Sequence, residues 1–321
     1  MQGGIGMYYV GIDLGGTNIA VGLVDENGKI IHKDSTPTLR EREHNEIIKD
    51  MAMLSKKVIK DAGVDIKEVK SIGVGSPGTP NSRDGIIVYA NNLKFRNVPI
   101  RAEIQKYIDL PVYVENDANC AALAESVAGA AKDAQHSVTI TLGTGVGGGV
   151  VIDRKIYSGF NFAAAELGHM VIVVDGEECT CGRKGCWEAY ASATALISQT
   201  KKAALENPES VINTLIGGDL NRIDAKTAFD AARQNDETGK KVVRQYIRYI
   251  AEGIMNVVNI FQPNVIVIGG GVCKEGDFLL NPLKEFVSKG IYSRPEVPQT
   301  EIRTALLGND AGIVGAAMLG L

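Results

Sequence analysis

His169, Cys179, Cys181 and Cys186 stand within eighteen residues, in the run Gly168-His-Met-Val-Ile-Val-Val-Asp-Gly-Glu-Glu-Cys-Thr-Cys-Gly-Arg-Lys-Gly-Cys-Trp-Glu188. One imidazole and three thiols complete a tetrahedral set for zinc and leave no position open for a reactant, so the metal is expected to be structural. Gly182 and Gly185 supply the tight turns such chelation needs. The opposing reading, free buried thiols, has to place four ligands in one short loop by chance. Glu166, His169 and Glu188 lie in the same segment, where a metal would fix them to hold a polar ligand.

A second chemistry belongs to glycine turns. In Asp13-Leu-Gly-Gly-Thr-Asn18, Gly15 and Gly16 let the backbone approach a ligand and offer N–H groups to phosphate oxygens. Thr17 adds a hydroxyl, Asn18 ends the turn, and Asp13 is placed to bind magnesium through water. Taken alone, the pair serves a hairpin equally well. It is not a dinucleotide fingerprint, because a strand follows where a helix is required. Leu142-Gly-Thr-Gly-Val-Gly-Gly-Gly149 repeats the design with Thr144 and Gly145. Two such turns facing each other across a cleft would grip the β- and γ-phosphates of a nucleotide. A third turn, Gly269-Gly270-Gly271, would let the backbone pass an adenosine, or be a simple strand-to-helix turn.

Glu115-Asn-Asp117 ends a strand. A carboxylate at the carboxyl end of a strand is well placed as a general base, and Asp117 could take a hydroxyl proton as that oxygen attacks a γ-phosphoryl group. The competing role for Asn116 or Asp117 is to cap the helix that follows, and the two roles are compatible.

The elements that must position these groups are legible in outline. Strands are expected at 8–12, 19–24 and 29–33, with Asn27-Gly28 making a tight hairpin. A helix over 41–62 carries Ile47, Ile48, Met51, Leu54, Val58 and Ile59 at helical spacing. A strand at 69–75 runs into Ser76-Pro-Gly-Thr-Pro80, read as loop; a strand at 111–115 and a helix over 118–130 follow. The second half is expected to hold strands at 137–142, 149–153 and 265–268, and helices over 188–205, 225–234, 238–261 and 309–319. Two α/β halves that each open strand–glycine turn–strand suggest a duplicated domain with a cleft between the copies.

With 321 residues there is room for two cores, and 45% hydrophobic with 22% charged residues is ordinary for a soluble protein. A formal net charge of −4 gives no reason to expect nucleic acid or an anionic membrane as partner. There is no apolar run of transmembrane length, and Met1-Gln-Gly-Gly-Ile-Gly6 lacks the basic and apolar regions of a secretory signal. Five cysteines, three of them clustered, suit a metal site in a reducing cytoplasm better than a disulfide framework. Cys120 and Cys273 read as buried small hydrophobes.

Together, Asp13-Leu-Gly-Gly-Thr-Asn18, Gly75-Ser-Pro-Gly78, Glu115-Asn-Asp117, Leu142-Gly-Thr-Gly-Val-Gly-Gly148, Glu166-Leu-Gly-His169 and Cys179-Thr-Cys-Gly-Arg-Lys-Gly-Cys-Trp-Glu188 resemble the ROK family, most closely its bacterial-type, ATP-dependent glucokinases. The resemblance covers essentially the whole chain. It implies an actin-like, hexokinase-like ATPase fold of two ribonuclease-H-like domains, one of residues 1–117 plus about 306–321, the other 118–305 with the zinc segment 169–186. It implies that Asp117 is the base for a sugar 6-hydroxyl. Asn116, Glu166, His169 and Glu188 would bind sugar hydroxyls, with Gly78 and Asn92 in the same pocket. Asp13, Gly15, Gly16, Thr17, Asn18, Thr144 and Gly145 would hold ATP phosphates and magnesium, with Gly270 and Gly271 near the adenosine. His169 would serve zinc through one ring nitrogen and face the sugar with the other. The loop Asn91-Asn-Leu-Lys-Phe-Arg96 has phenylalanine where many relatives place tryptophan.

The expected activity is therefore ATP-dependent phosphorylation of a hexose, D-glucose first, by a cytoplasmic homodimer or homotetramer. The alternatives are another hexose (fructose, mannose or N-acetylmannosamine) or a sugar-sensing regulator without turnover. The phosphate turns, Asp117, the negative charge and the lack of room for an N-terminal helix-turn-helix favour the kinase.

Overall fold

The computed structural model describes residues 7–321; the leader reading of Met1–Gly6 lies outside the described residues. In chain order come β1 (Tyr8–Leu14), β2 (Asn18–Asp25), β3 (Ile30–Pro37), α1 (His44–Asp61), β4 (Val69–Ser76), β5 (Thr79–Asn81), β6 (Ile86–Ala90), β7 (Phe95–Val98), α2 (Ile100–Gln105), β8 (Val112–Asn116) and α3 (Asp117–Val127). They are followed by β9 (Ser137–Leu142), β10 (Val146–Ile152), β11 (Lys155–Ile156), α4 (Glu188–Ala191), α5 (Ala193–Glu206), α6 (Val211–Leu215), α7 (Thr227–Arg233), α8 (Glu237–Phe261), β12 (Val265–Gly269), α9 (Asp277–Gly290), β13 (Glu301–Thr304) and α10 (Ala311–Met318).

The chain divides into two compact units. One runs to Thr139 and takes in Gly149–Ala165 and Ala305–Leu321; the other is Ile140–Gly148 with Glu166–Thr304. In the first, a five-stranded sheet has the order β3-β2-β1-β4-β8. β1 pairs antiparallel with β2 and parallel with β4, and β4 pairs parallel with β8. That arrangement brings the carboxyl ends of β1, β4 and β8, with Asp13, Gly75 and Glu115 in register, to one edge. α1 covers the sheet with Ile47, Ile48, Met51, Leu54, Val58 and Ile59, all buried, as their spacing predicts. A second five-stranded sheet has the order β11-β10-β9-β12-β13.

Several expectations need correction. Residues 76–80 are not all loop: Thr79–Asn81 forms β5, which pairs with β6 in a small sheet completed by β7. Pro80 sits in a short edge strand, where its missing N–H costs no ladder bond. The helix expected over 188–205 is two, broken at Ser192, whose extended backbone and hydroxyl cap α5 through Ala195 N. The second glycine turn is shorter than its composition suggests, because Gly147-Gly148-Gly149 lies inside β10. The sequence outline also omits β6, β7, α2, α6, α9, β11 and β13. Among the described residues no helix is long and apolar enough to cross a membrane.

Candidate functional site

The first unit holds Asp13, Gly15, Gly16, Thr17, Asn18, Gly78, Asn92, Asn116 and Asp117; the second holds Thr144, Gly145, Glu166, His169, Cys179, Cys181, Cys186, Glu188, Gly270 and Gly271.

In the second unit the four predicted metal ligands converge, with donor atoms all within 4.8 Å of one another. His169 Nδ1 lies 3.6 Å from Cys179 Sγ, and Cys181 Sγ 3.6 Å from Cys186 Sγ. A tetrahedral zinc with ordinary Zn–S and Zn–N distances has ligand–ligand edges of roughly 3.5–3.8 Å, so the donor set and these two edges fit that ion. The loop is built by short-range pairing. Cys179 N–H donates to Arg183 O (2.9 Å), Gly182 N–H to Cys179 O (2.9 Å) and Gly185 N–H to Glu177 O (2.8 Å). Gly185 has φ +79°, and a Cβ there would sit 1.7 Å from Val173 O, so no other residue fits. Behind the loop, buried Trp187 donates its indole N–H to Tyr249 O at 2.8 Å. Lost hydration, then the neighbouring thiols, pushes Cys186 up to about 12. A divalent cation reverses that, since a ligating thiol is deprotonated outright.

Glu188 joins this loop to the second glycine turn. Its Oε2 accepts from Val146 N at 2.9 Å, and its Oε1 lies 4.0 Å from Cys179 Sγ. A Cβ on Gly145 would meet Oε2 at 2.2 Å, so the carboxylate occupies the space glycine leaves. The turn is also tied to the start of α5. Ala193 N–H donates to Gly143 O (2.8 Å) and Thr194 Oγ1 to Thr144 O (2.8 Å).

Each glycine turn is closed by a backbone hydrogen bond, of a different span in each. Gly15 N–H closes onto Asn18 O (2.9 Å), and Gly143 N–H onto Gly145 O (3.0 Å). Among the described residues, the N–H groups of Gly16 and Thr17 in one turn, and of Thr144 and Gly145 in the other, have no acceptor. Paired unclaimed N–H groups at a tight turn can receive an anion. Asn92 packs on the first turn: a Cβ on Gly16 would lie 3.4 Å from Asn92 Cβ. Gly270 has a structural reason to be glycine, since its Cβ would meet Leu142 O at 2.2 Å. A groove of about 880 Å³ in the second unit begins at Thr144, Ser192 and Thr194 and runs between α5 and α8 past Gln199, Lys202 and Lys241; Gly270 and Gly271 do not line it.

In the first unit Asn116 is the helix cap. Its Oδ1 accepts from Ala118 N (2.8 Å) and Asn119 N (3.3 Å), and its Nδ2 donates to Gly78 O (3.1 Å). Asp117 thereby becomes the first residue of α3, with Oδ1 accepting from Ala118 N at 2.9 Å. Solvent reaches Asp117, yet the protein around its carboxylate removes enough hydration to raise its pKa above the ordinary aspartate value, against the lowering pull of the Ala118 N–H. Asp13 is raised to about 6, first by lost hydration and then by the charge of Asp117.

Sequence reasoning named Glu115 only as part of a motif. It is buried (5% exposed) and makes no ion pair among the described residues; Oε1 accepts from Asn116 N (2.9 Å) and Asn119 Nδ2 (3.0 Å), Oε2 from Ser82 Oγ (3.2 Å) and Ser158 Oγ (2.8 Å). Four donors from three segments satisfy the buried carboxylate oxygens and brace the turn that carries Asp117. Only proximity in the fold could reveal Ser82 and Ser158, which are remote from it in sequence.

Sheets of this order, with a strand–glycine turn–strand in each unit and carboxylates at the strand ends, are those of the α/β actin-like, hexokinase-like ATPase fold. The chain belongs to the ROK family, whose model matches residues 9–321. It is 38% identical over 312 residues to the glucokinase of Thermotoga maritima, covering 97% of this chain and 96% of that one. It is 37% identical over 314 residues to the glucokinase of Streptomyces coelicolor, again covering 97% and 96%. Among solved structures, a ROK family glucokinase from Streptomyces griseus in complex with glucose and AMPPNP is similar at TM-score 0.77 and 34% identity, covering 97% of this chain and 98% of that one.

Proposed function

We propose that this protein is an ATP-dependent hexose kinase that transfers the γ-phosphoryl group to the 6-hydroxyl of D-glucose. The observation that carries the reading is the grouping in one unit of Asp117, Asp13 and the unclaimed Gly16 and Thr17 N–H groups at one edge of a sheet. Asp117 takes the 6-hydroxyl proton while that oxygen forms its bond to the γ-phosphorus. The bond from the γ-phosphorus to the bridging oxygen breaks, and ADP leaves with the electron pair. The Asp117 pKa, raised yet that of a carboxylate, suits a base that must hold the proton briefly.

The N–H groups of Gly16, Thr17, Thr144 and Gly145 bind phosphate oxygens, and Thr17 adds its hydroxyl. Asp13 holds magnesium, which supplies charge neutralisation at the phosphates when bound. Glu166, His169 and Glu188 take sugar hydroxyls, and Asn92, Asn116 and Gly78 are assigned to the sugar as well. Zinc is structural: His169 gives it Nδ1, which leaves Nε2 for the sugar and fixes the tautomer. Support comes from the glucokinases at 37–38% identity and from the glucose and AMPPNP in the Streptomyces griseus structure.

A coupled assay across glucose, fructose, mannose and N-acetylmannosamine, with ATP, ADP and polyphosphate as donors, tests the reading. Glucose with ATP is expected to give the highest kcat/KM. A higher value for another hexose would reassign the substrate, and no turnover with any pair would refute the kinase.

A further inference from the structure

Thr38 belongs to no motif, yet it touches the first glycine turn twice. It lies just past β3 and is completely buried (0% exposed). Its hydroxyl donates to Gly15 O at 2.7 Å, and its N–H donates to Thr17 O at 2.9 Å. Those carbonyls bracket Gly16. The Gly15 C=O and the Gly16 N–H belong to one planar trans peptide and point in opposite directions. A donor that holds the carbonyl on one side therefore aims the N–H to the other. Without it, a glycine–glycine peptide turns at little cost, because both flanking residues tolerate either sign of φ.

Thr38 is itself braced. Its carbonyl accepts from Arg42 Nη2 at 3.0 Å, and the same nitrogen pairs with Asp50 Oδ2 of α1 at 2.7 Å. The chain from α1 through Arg42 and Thr38 to Gly15 is continuous and lies within the first unit.

We propose that Thr38 is a positioning residue that orients the Gly16 N–H toward the phosphate groups of the nucleotide, a role that rests on the phosphate-binding function proposed for this turn. Thr38→Val keeps the shape and the backbone N–H but removes the hydroxyl donor; Thr38→Ser keeps the donor. Steady-state kinetics and calorimetric titration with AMPPNP and with glucose read the two ligands separately. Thr38→Val is expected to raise KM for ATP and Kd for AMPPNP roughly three- to tenfold, the worth of one hydrogen bond. Glucose affinity stays at the wild-type value, and Thr38→Ser restores nucleotide affinity. Arg42→Met, which releases the Thr38 carbonyl, produces a smaller shift in the same direction and decides the matter should Thr38→Val not fold. Unchanged nucleotide affinity in the folded variants, an equal loss for sugar and nucleotide, or a Thr38→Ser variant as impaired as Thr38→Val would overturn the proposal. Failure of the wild type to bind AMPPNP would instead remove the kinase reading, and this inference with it.

Discussion

Asn116 and Asp117 are neighbours that could both have been helix caps, and their hydrogen bonds separate them. Asn116 spends its oxygen on the cap and its nitrogen on Gly78, while Asp117 stands at the first position of α3 as a carboxylate that solvent still reaches. Asp117→Asn should lower kcat by about 10²–10⁴ and leave glucose binding by calorimetry near wild type, because it deletes the base and keeps the shape. A near-normal rate would remove Asp117 from the role. Asp13 makes a different prediction. Its pKa rises from 3.8 to about 6 on folding, so the folded state binds that proton more tightly than the unfolded chain does. Stability contributed by the neutral form is present below about pH 4, declines as pH rises toward 6 and is constant above. Asp13→Asn should therefore stabilise the ligand-free protein at pH 7.5 by up to about 3 kcal/mol, read as a higher melting temperature, with the gain gone near pH 4. A gain equal at both pH values would show that Asp13 charge is not its source.

Between residues and units, the second glycine turn, the Cys-rich loop and α4 act as one piece. Glu188 opens α4, accepts from Val146 N and fills the space beside Gly145, while Cys186 and Trp187 precede it directly in the chain. Gly145→Ala puts a methyl where Glu188 Oε2 sits, so either the carboxylate or the turn must move. The expected result is weaker binding of both AMPPNP and glucose, by about tenfold, because one hydrogen-bonding contact to each ligand is displaced. Loss confined to one ligand would show that the turn and the loop are independent.

Every predicted metal ligand lies in one unit, whereas Asp117, Asp13 and the first glycine turn lie in the other. Stripping zinc with a chelator should therefore act locally. Hydrogen-exchange mass spectrometry is expected to show faster exchange in peptides covering 166–191, with little change in β1, β2 and β3, because metal binding free energy is folding free energy for the loop it closes. Uniform acceleration across both units, or none, would contradict a structural metal confined to this loop. Periodicity reveals long elements better than short ones. α1 and α8 present long apolar faces and were found nearly whole, but β5, β11 and β13 are two to four residues long. Strands that short carry too few residues for an alternation to show.

Ligand chemistry was legible before any folding was considered. His169 with three cysteines, a Gly-Gly-Thr turn and a Gly-Thr-Gly turn are local patterns, and local spacing is enough to specify a metal loop or a tight turn. Tertiary packing decided the rest. It set Nδ1 of His169 beside Cys179 Sγ, turned Glu188 toward Val146, and gave Asn116 and Asp117 different hydrogen bonds. It also brought Ser82 and Ser158 to Glu115, and Thr38 to Gly15 and Thr17. These contacts join residues up to 43 positions apart, and no sequence pattern marks them. A buried acceptor is satisfied by whichever donor the fold carries to it, so its partners are settled only when the chain has closed.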